Sequence, residues 1–357
     1  MKKIAILLTA VLVIVLVLMV ISSKLTGSVT KAGAKTLTIY NWGDYIDPSL
    51  IAKFQKKYGY RVVYQTFDSN EAMLTKIQQG GTSFDVIVPS DYMISKMRGE
   101  HLLLPINQKQ VPNLKYIDSR FLNLSFDPKN HYSVPYFWGT VGIVYNPKML
   151  GGSKITSWND LWDKKYRNQI LLVDSAREIV GMGLDSLHYS VNDTNEKHLN
   201  QALQKLKQLT PNIKAIVGDE NKLLLPRKEA AIGVLWSGDA VEIMDENPEL
   251  TYVIPKEGSN VWFDNMAIPK GAANKKGAEQ FINFMLDPKN AAKNAEYVGY
   301  ATPDKAALRY LPKEIKNDKR FYPDKSLTDR LEVYDNFSKA VNARFNELFL
   351  EFKMSNQ

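Results

Sequence analysis

The stretch TIYNWGDYIDPSL, residues 38–50, joins a predicted strand to a predicted helix and sets the pattern for the whole chain. Its first residues favour a strand, and Asp47 followed by proline is a typical helix start. Turns usually contain small polar residues. Here the turn contains Trp42, Asp44 and Tyr45, so these side chains need a reason other than turn geometry.

The same alternation of strand and helix continues along the chain. Strands are predicted at residues 36–40, 61–66, 84–88, 140–145, 169–173, 215–217, 231–236, 252–254 and 265–268. Helices are predicted at residues 48–58, 70–79, 92–98, 176–187, 198–209, 223–228, 275–285 and 329–353. A capping box predicts a short helix over residues 157–162, and residues 127–136 are predicted as loop. Strands that recur with helices between them indicate βαβ units and a parallel sheet.

We expect an α/β fold with two lobes. The chain has 357 residues, of which 45% are hydrophobic, so it can bury the cores of two domains. Each lobe is predicted to be a mainly parallel sheet flanked by helices. Residues 36–141 with 262–312 would form lobe 1, and residues 142–261 with 313–357 would form lobe 2. Two lobes joined by more than one crossover can close around a ligand.

The net charge of +8 comes largely from the N-terminal segment. Residues 1–35 contain five lysines and no acid, so subtracting them from +8 leaves +3 for the rest of the chain. This mild charge gives no support for nucleic acid as a partner. The chain has no cysteine, which excludes disulfides, thiol catalysis and anchoring through a lipid-modified cysteine.

Residues 1–24 are predicted to be a signal anchor, and residues 25–35 a tether. Two lysines precede an apolar run over residues 4–21, which as a helix would span about 27 Å, close to a hydrocarbon core of about 30 Å. The lysines favour an inside N-terminus with the bulk of the chain outside. We therefore expect a protein anchored on the outer face of the cytoplasmic membrane. A small-residue pattern at residues 32–34 leaves cleavage and secretion as the alternative.

Aromatic and acidic side chains recur together after the predicted strands, where ligands of parallel sheets bind. The recurring residues form a candidate site: Trp42, Asp44, Tyr45, Ser90, Tyr92, Ser175, Glu178, Trp236, Asp239, Trp262, Asp264 and Tyr300. Asp91 and Asp174 also follow strands, but we interpret them as helix N-caps. Trp138, Trp158 and Trp162 have no acid suitably placed beside them, so we interpret them as packing residues.

The combination of rings and carboxylates suits an organic cation. An aromatic face attracts a cation through its quadrupole, with about 0.5–2 kcal/mol per contact. A carboxylate adds a charge-assisted hydrogen bond. Rings also stack around an extended alkyl chain. The sequence therefore predicts a linear alkyl amine with a positive charge at each end as the ligand.

Eight motifs carry a resemblance to a known family. They are YNWGDYI, VPSDYM, SVPYFWGTVGIVYN, SWNDLW, DSARE, VLWSGDA, WFDNMAIPKGA and VGYATP. In this order they resemble the polyamine-binding proteins of bacterial ABC importers, the spermidine/putrescine periplasmic family, over nearly all of residues 37–353. The resemblance implies a class II periplasmic-binding-protein fold whose cleft closes on ligand. It also implies a non-enzymatic protein with a membrane permease and its ATPase as partners, and we expect a monomer.

The resemblance also implies roles for individual residues. The family's aromatic box corresponds to Trp42, Tyr45, Tyr92, Trp236, Trp262 and Tyr300. Its acids correspond to Glu178 and Asp264, while Asp44 and Asp239 resemble acids of the putrescine-type branch. Ser90 matches a hydroxyl in the cleft. Ser175 stands where the spermidine branch has a carboxylate, and a late polar contact aligns loosely with Asp335. Putrescine and spermidine therefore both stay open.

Two other classes of function are less compatible with the sequence. Common hydrolase, phosphate-binding and metalloprotease motifs are absent, and the four histidines lie at no metal-ligand spacing, so no catalytic residue, metal or cofactor is predicted. A carboxylate-dependent hydrolase would need Asp44 and Asp239 across a cleft. A receptor for another small solute is the second alternative: a sugar site would favour amides and arginine, and a quaternary amine needs at most one balancing charge.

Overall fold

The computed structural model describes residues 35–218 and 220–355 of the chain. Its strands are β1 (Lys35–Trp42), β2 (Tyr60–Phe67), β3 (Val86–Ile87), β4 (Ser133–Tyr145), β5 (Ile170–Val173), β6 (Ile213–Val217), β7 (Ile232–Trp236), β8 (Thr251–Val253), β9 (Ser259–Ala267) and β10 (Leu331–Glu332).

The α-helices alternate with these strands. They are α1 (Pro48–Tyr58), α2 (Asn70–Gln79), α3 (Asp91–Gly99), α4 (Ala176–Asp185), α5 (Glu196–Leu209), α6 (Asn221–Leu224), α7 (Ser237–Glu246), α8 (Lys275–Met285), α9 (Pro288–Val298), α10 (Lys313–Lys316), α11 (Lys325–Thr328) and α12 (Lys339–Met354). The capping box predicted at Ser157 is present, and it opens a 3-10 helix over Trp158–Trp162.

One mixed sheet runs through the described residues. Its main strand order is β2-β1-β3-β9-β4-β7-β5-β6, with β8 paired to β4 and β10 paired to β9. The outer groups β2-β1-β3 and β7-β5-β6 are parallel, as predicted. The central strands β4 and β9 are antiparallel to each other and to their neighbours on the main path.

Strand β4 connects the two parallel groups. Its residues 133–140 pair with β9, and its residues 141–145 pair with β7. The prediction of loop over residues 127–136 is therefore wrong from Ser133 onward. Pro135 cannot donate a backbone hydrogen bond, and the register with β9 shifts between Pro135 and Phe137. The turn before β4 is fixed by Asp127, whose carboxylate accepts from the backbone N–H groups of Tyr132 and Ser133.

The C-terminal helix is shorter than predicted. It begins at Lys339, where the Ser338 hydroxyl caps it by accepting from the Val341 backbone N–H. Residues 329–338 were predicted as helix, but this segment contains β10, which pairs with β9. The predicted helix over residues 223–228 is also displaced, because α6 spans Asn221–Leu224. Helices α7 and α9 were not predicted.

The core consists of three clusters of buried apolar side chains. The largest surrounds β1, β3, α8 and the first part of β4. A second surrounds β5, α4 and α5, and α12 contributes Phe345, Leu348 and Phe352 to it. The third lies under α7 and β8. Apolar burial thus stabilises both ends of the sheet, and the polar groups of the cleft lie between them.

No helix in residues 35–218 or 220–355 is long and apolar enough to cross a membrane. The predicted signal anchor, residues 1–24, and the predicted tether as far as residue 34 lie outside the residues that the structure describes.

Candidate functional site

A cleft of about 1860 Å³ collects the predicted site residues. Its walls include every one of them: Trp42, Asp44, Tyr45, Ser90, Tyr92, Ser175, Glu178, Trp236, Asp239, Trp262, Asp264, Tyr300 and Asp335. Residues from β1 and α3 face residues from α4 and α7 across this space. The sequence prediction therefore selected side chains that the fold brings together.

Asp264 lies at the centre of a hydrogen-bond network. The Tyr45 hydroxyl donates to its Oδ2 at 2.6 Å, and the Ser90 hydroxyl donates to its Oδ1 at 2.7 Å. The Asn70 amide in turn donates to the Ser90 Oγ at 3.1 Å, which fixes the orientation of this hydroxyl. The Asp264 residue is only 6% exposed. These neutral donors hold the carboxylate in place without neutralising its charge.

Burial raises the pKa of Asp264 to about 6, although the hydrogen bonds from Tyr45 and Ser90 favour the charged form. Burial also raises the pKa of the neighbouring Asp91 to about 7, against two backbone hydrogen bonds that lower it. The two groups repel each other as carboxylates, which adds to the shift of Asp91. The carboxyl groups of Asp264 and Asp91 therefore ionise less readily than exposed ones, although the charge of Arg177 favours the ionised form of Asp91.

The N-cap interpretation of Asp91 and Asp174 is wrong by one residue in each case. The N-cap residues are Ser90 for α3 and Ser175 for α4. Asp91 instead accepts backbone N–H bonds from Tyr92 at 2.6 Å and from Phe263 at 3.0 Å, so it ties α3 to β9. Asp174 is exposed and forms an ion pair with Lys353 at 2.9 Å.

Glu178 is the second buried carboxylate of the cleft. It lies in the first turn of α4 and is 8% exposed. The Tyr334 hydroxyl donates to its Oε2 at 2.7 Å, and the Trp236 indole N–H donates to its Oε1 at 3.4 Å. Burial raises the pKa of Glu178, while both hydrogen bonds and the charge of Arg177 lower it. Tyr334 was not predicted because its segment was assigned to helix.

Aromatic rings form a connected wall around Asp264. The Tyr300 ring meets the Tyr45 ring and the Trp262 ring edge to face, with centroids 5.4 Å apart in both pairs. Two glycines admit these rings: a Cβ on Gly139 would lie 2.3 Å from the Trp262 ring, and a Cβ on Gly238 would lie 1.9 Å from the Tyr300 ring. The indole N–H of Trp262 is buried and has no hydrogen-bond partner.

The positions of some site residues differ from the prediction. Trp262 and Asp264 lie within β9 rather than beyond a strand end, and Asp264 forms an isolated bridge with Ser90. Tyr300 follows helix α9, which ends at Gly299 in a left-handed conformation. The side chains still reach the cleft, because antiparallel β9 passes beside β3 and β4 at the centre of the sheet.

The cations of the cleft wall were missed, among them Arg177 and Lys222. The Arg177 guanidinium lies 4.2 Å from the Tyr334 ring centroid and 3.9 Å from that of Phe337. Lys222 pairs with Asp239, at 3.2 Å between Nζ and Oδ1. Arg177 lies within the DSARE motif, directly before Glu178, so its place in the sequence was a usable signal. No comparable signal marked Lys222.

The remaining tryptophans pack as predicted. Trp138 and Trp158 are buried, and their indole N–H groups donate to the carbonyls of Thr302 and Gly258. Trp162 is partly buried and donates to the Lys205 carbonyl. Among the described residues, no group of three or more His, Cys, Asp or Glu side chains is arranged to hold a metal ion.

Comparison with known proteins shows the family of this chain. The profile of the bacterial extracellular solute-binding protein family matches residues 49–323. The spermidine/putrescine-binding periplasmic protein of Salmonella typhimurium is 39% identical over 319 residues, which cover 89% of this chain and 91% of the relative. The sequence resemblance to this group is thereby confirmed.

Two solved structures are similar in fold and sequence. A spermidine/putrescine ABC transporter substrate-binding protein from Streptococcus pneumoniae superimposes with a TM-score of 0.88 at 51% identity, covering 91% of this chain and 100% of the other. A Listeria monocytogenes protein assigned to spermidine/putrescine ABC transport gives a TM-score of 0.81 at 61% identity, covering 90% of this chain and 99% of the other. The predicted two-lobed α/β fold is confirmed. The chain belongs to the bacterial extracellular solute-binding protein family.

Proposed function

We propose that this protein captures putrescine, spermidine or both in the cleft and delivers them to a membrane permease. One observation carries the proposal. Asp264 and Glu178 are buried carboxylates in one aromatic-walled cleft, and the side-chain hydrogen bonds that hold them come from neutral hydroxyl and indole groups. A buried carboxylate without a cation is unfavourable, and the ammonium groups of a polyamine would supply the missing charges.

The other candidate residues complete this binding site. Trp42, Tyr45, Tyr92, Trp236, Trp262 and Tyr300 would enclose the alkyl chain and attract its ammonium groups. Ser90 would contribute a hydroxyl and Asp44 further negative charge. Asp239 would add to this charge only in part, because Lys222 already pairs with it. Ser175 and Asp335 would make polar contacts at the rim.

Capture and release would follow from closure of the two lobes. An amine held by Asp264 on the first predicted lobe and by Glu178 on the second gains both contacts only when the lobes are closed, so the ligand favours the closed form. The lobe boundaries proposed for this motion are those predicted from the sequence. A permease would read the closed form, and its ATPase would supply the energy. The protein itself would act as a monomer, without catalysis, held outside the cytoplasm by its N-terminal segment or secreted.

The names of the relatives support this proposal over other ligands. Besides the Salmonella protein, a putrescine-binding periplasmic protein of Escherichia coli is 31% identical over 319 residues, covering 84% of this chain. A sugar offers no ammonium and a neutral amino acid offers one, so neither supplies a second ammonium for the second buried carboxylate. A hydrolase would need water positioned by one carboxylate and a proton donor in the other, whereas here both are held by neutral donors.

A panel of ligands tests the proposal directly. Putrescine and spermidine are expected to raise the melting temperature of the purified protein, because a ligand that binds only the folded state stabilises it by mass action. Betaine, γ-aminobutyrate and maltose are expected to leave the melting temperature unchanged. Calorimetric titration with putrescine and spermidine then gives each dissociation constant. A shift with maltose or betaine and none with either polyamine would refute the proposal.

Binding is expected to weaken as the pH falls below about 6. The pKa of Asp264 is raised by burial to about 6 in the free protein. An ammonium ligand favours the carboxylate, so it must displace a proton below this pH, and affinity falls by up to about tenfold per pH unit for each proton displaced. Two other carboxyl groups line the same cleft: Asp91, with a pKa of about 7, and Glu178, whose pKa is also raised. They widen the pH interval over which affinity is expected to change.

Titration calorimetry at about pH 5, 6, 7 and 8, in buffers of different ionisation enthalpy, measures this proton release. Above about pH 8 these carboxyl groups are ionised before the ligand binds. Affinity is therefore expected to be highest there, and no proton should be released on binding. An affinity that stays constant between about pH 5 and 8 would mean that these carboxylates do not contact the ligand's charges.

A further inference from the structure

Lys222 places a positive charge inside the cleft. It lies in α6, and its ammonium group reaches the first turns of α7, where its Nζ is 3.2 Å from the Asp239 Oδ1 and 2.7 Å from the Glu242 Oε2. All three residues line the cleft. The Lys222 side chain is 32% exposed and that of Asp239 is 16% exposed, so this contact is partly shielded from water.

The charge of Lys222 persists at physiological pH. Burial lowers the pKa of its ammonium, but the charges of Asp239 and Glu242 outweigh this effect and the pKa lies above its ordinary value. Asp239 therefore has an ammonium partner from the protein itself. Asp264 and Glu178 differ in this respect, since their hydrogen bonds come from neutral hydroxyl and indole groups.

We propose that Lys222 is a specificity-determining residue, whose tethered ammonium occupies Asp239 and thereby limits the number of ligand charges that the cleft accepts. This inference rests on the proposed function. Asp91 is held by two backbone N–H groups, so with Lys222 in place Asp264 and Glu178 are the buried cleft carboxylates left for the ligand, and their two charges match those of putrescine. A third ligand ammonium near Asp239 would compete with Lys222 for the same oxygen and be repelled by its charge.

Replacing Lys222 tests this role through a ratio of affinities. In Lys222→Met the alkyl stem remains while the ammonium is lost, so a third ammonium of the ligand no longer competes with Lys222 for the Asp239 Oδ1. The dissociation constant for spermidine, divided by that for putrescine, is expected to fall about tenfold in calorimetric titration. Lys222→Arg keeps the charge and is expected to keep the ratio of the wild type.

A matched lysine outside the cleft controls for charge. Lys228 pairs with Glu249 at 2.8 Å, and neither residue lines the cleft. Lys228→Met removes one positive charge from the same region and is expected to leave the ratio within about twofold of the wild type. Should Lys222→Met fail to fold, Lys222→Gln provides the same loss of charge with a polar head group.

A double variant isolates the contact with Asp239. In Lys222→Met with Asp239→Asn, the third carboxylate is lost again, and the gain for spermidine is expected to disappear. A ratio in Lys222→Met or Lys222→Gln within twofold of the wild type, or a gain that survives Asp239→Asn, would overturn the proposal. Failure of both amines to bind the wild-type protein would instead refute the proposed function, so the two failures are distinguishable.

Discussion

Asp264→Asn is expected to raise the dissociation constant for putrescine about thirtyfold or more, a loss of about 2 kcal/mol. The substitution keeps the size of the side chain but removes the charge that faces the ligand. One ammonium would then be buried against a neutral amide, with the Tyr45 and Ser90 hydroxyls oriented as donors toward the same group. Titration calorimetry with putrescine at about pH 8 measures the loss.

The stability of the ligand-free protein should change in the opposite sense to affinity. The raised pKa of Asp264 means that folding disfavours its carboxylate at neutral pH, so a neutral side chain relieves this cost. The melting temperature of ligand-free Asp264→Asn is therefore expected to stay or rise while binding weakens. Asp245 is an exposed acid of the same cleft, so Asp245→Asn controls for the loss of one negative charge without the loss of a buried contact. A dissociation constant for Asp264→Asn equal to that of Asp245→Asn would remove Asp264 from the ligand contacts.

Gly238→Ala is expected to weaken putrescine binding by about 1–3 kcal/mol, which is about five- to 150-fold, because it overpacks the wall of the cleft. An added methyl group on Gly238 would lie 1.9 Å from the Tyr300 ring, so the ring must leave its position. Gly238 belongs to the second predicted lobe and Tyr300 to the first. The substitution therefore opposes a contact that crosses the predicted boundary between the lobes.

A second glycine of the same cleft supplies the matched control. Gly43 also lines the cleft, but a Cβ at this position meets no atom within 4 Å. Gly43→Ala is expected to bind putrescine within about threefold of the wild type. Melting temperatures of both ligand-free variants establish that they are folded. Equal affinities of Gly238→Ala and Gly43→Ala would show that the position of the Tyr300 ring does not matter for binding.

Helices with clear end signals could be predicted from the sequence to the residue. Helix α1 has Asp47 as N-cap, proline at its first position and Gly59 after its end, and its predicted bounds are confirmed. Helices α2 and α8 were also placed correctly. Helix α9 carries the same Asp-Pro signal at Asp287 and was nevertheless overlooked. Its omission reflects incomplete use of the pattern rather than missing information.

The centre of the sheet could not be predicted by the same means. All thirteen residues of β4 are buried, so the strand lacks the alternation of polar and apolar residues that marks a half-exposed strand. Pro135 within it argues against a strand in any sequence-based assignment. Segment 329–338 failed for a different reason: its spacing of apolar residues fits a helix, but pairing of β10 with β9 decides its structure.

The candidate site was predictable where a residue type itself carried the chemistry. Rings and acids that follow predicted strands gave most of the predicted members of the cleft wall, while Asp335 came only from the family resemblance. Lys222 and Tyr334 could not be found in this way, because a lysine in a short helix and a tyrosine in a polar segment are both ordinary surface residues. Their roles depend on which segments the fold places opposite Asp239 and Glu178.

The position of β4 between the two parallel groups of strands has a consequence for how the protein unfolds. Its residues 133–140 and 141–145 form one unbroken ribbon with β9 on one side and β7 on the other. Loosening either group would expose backbone hydrogen-bonding groups of β4, so we expect the two ends of the sheet to unfold cooperatively. The free energy of ligand binding should then stabilise the entire sheet. Protection from proteolysis should extend well beyond the residues that touch the amine.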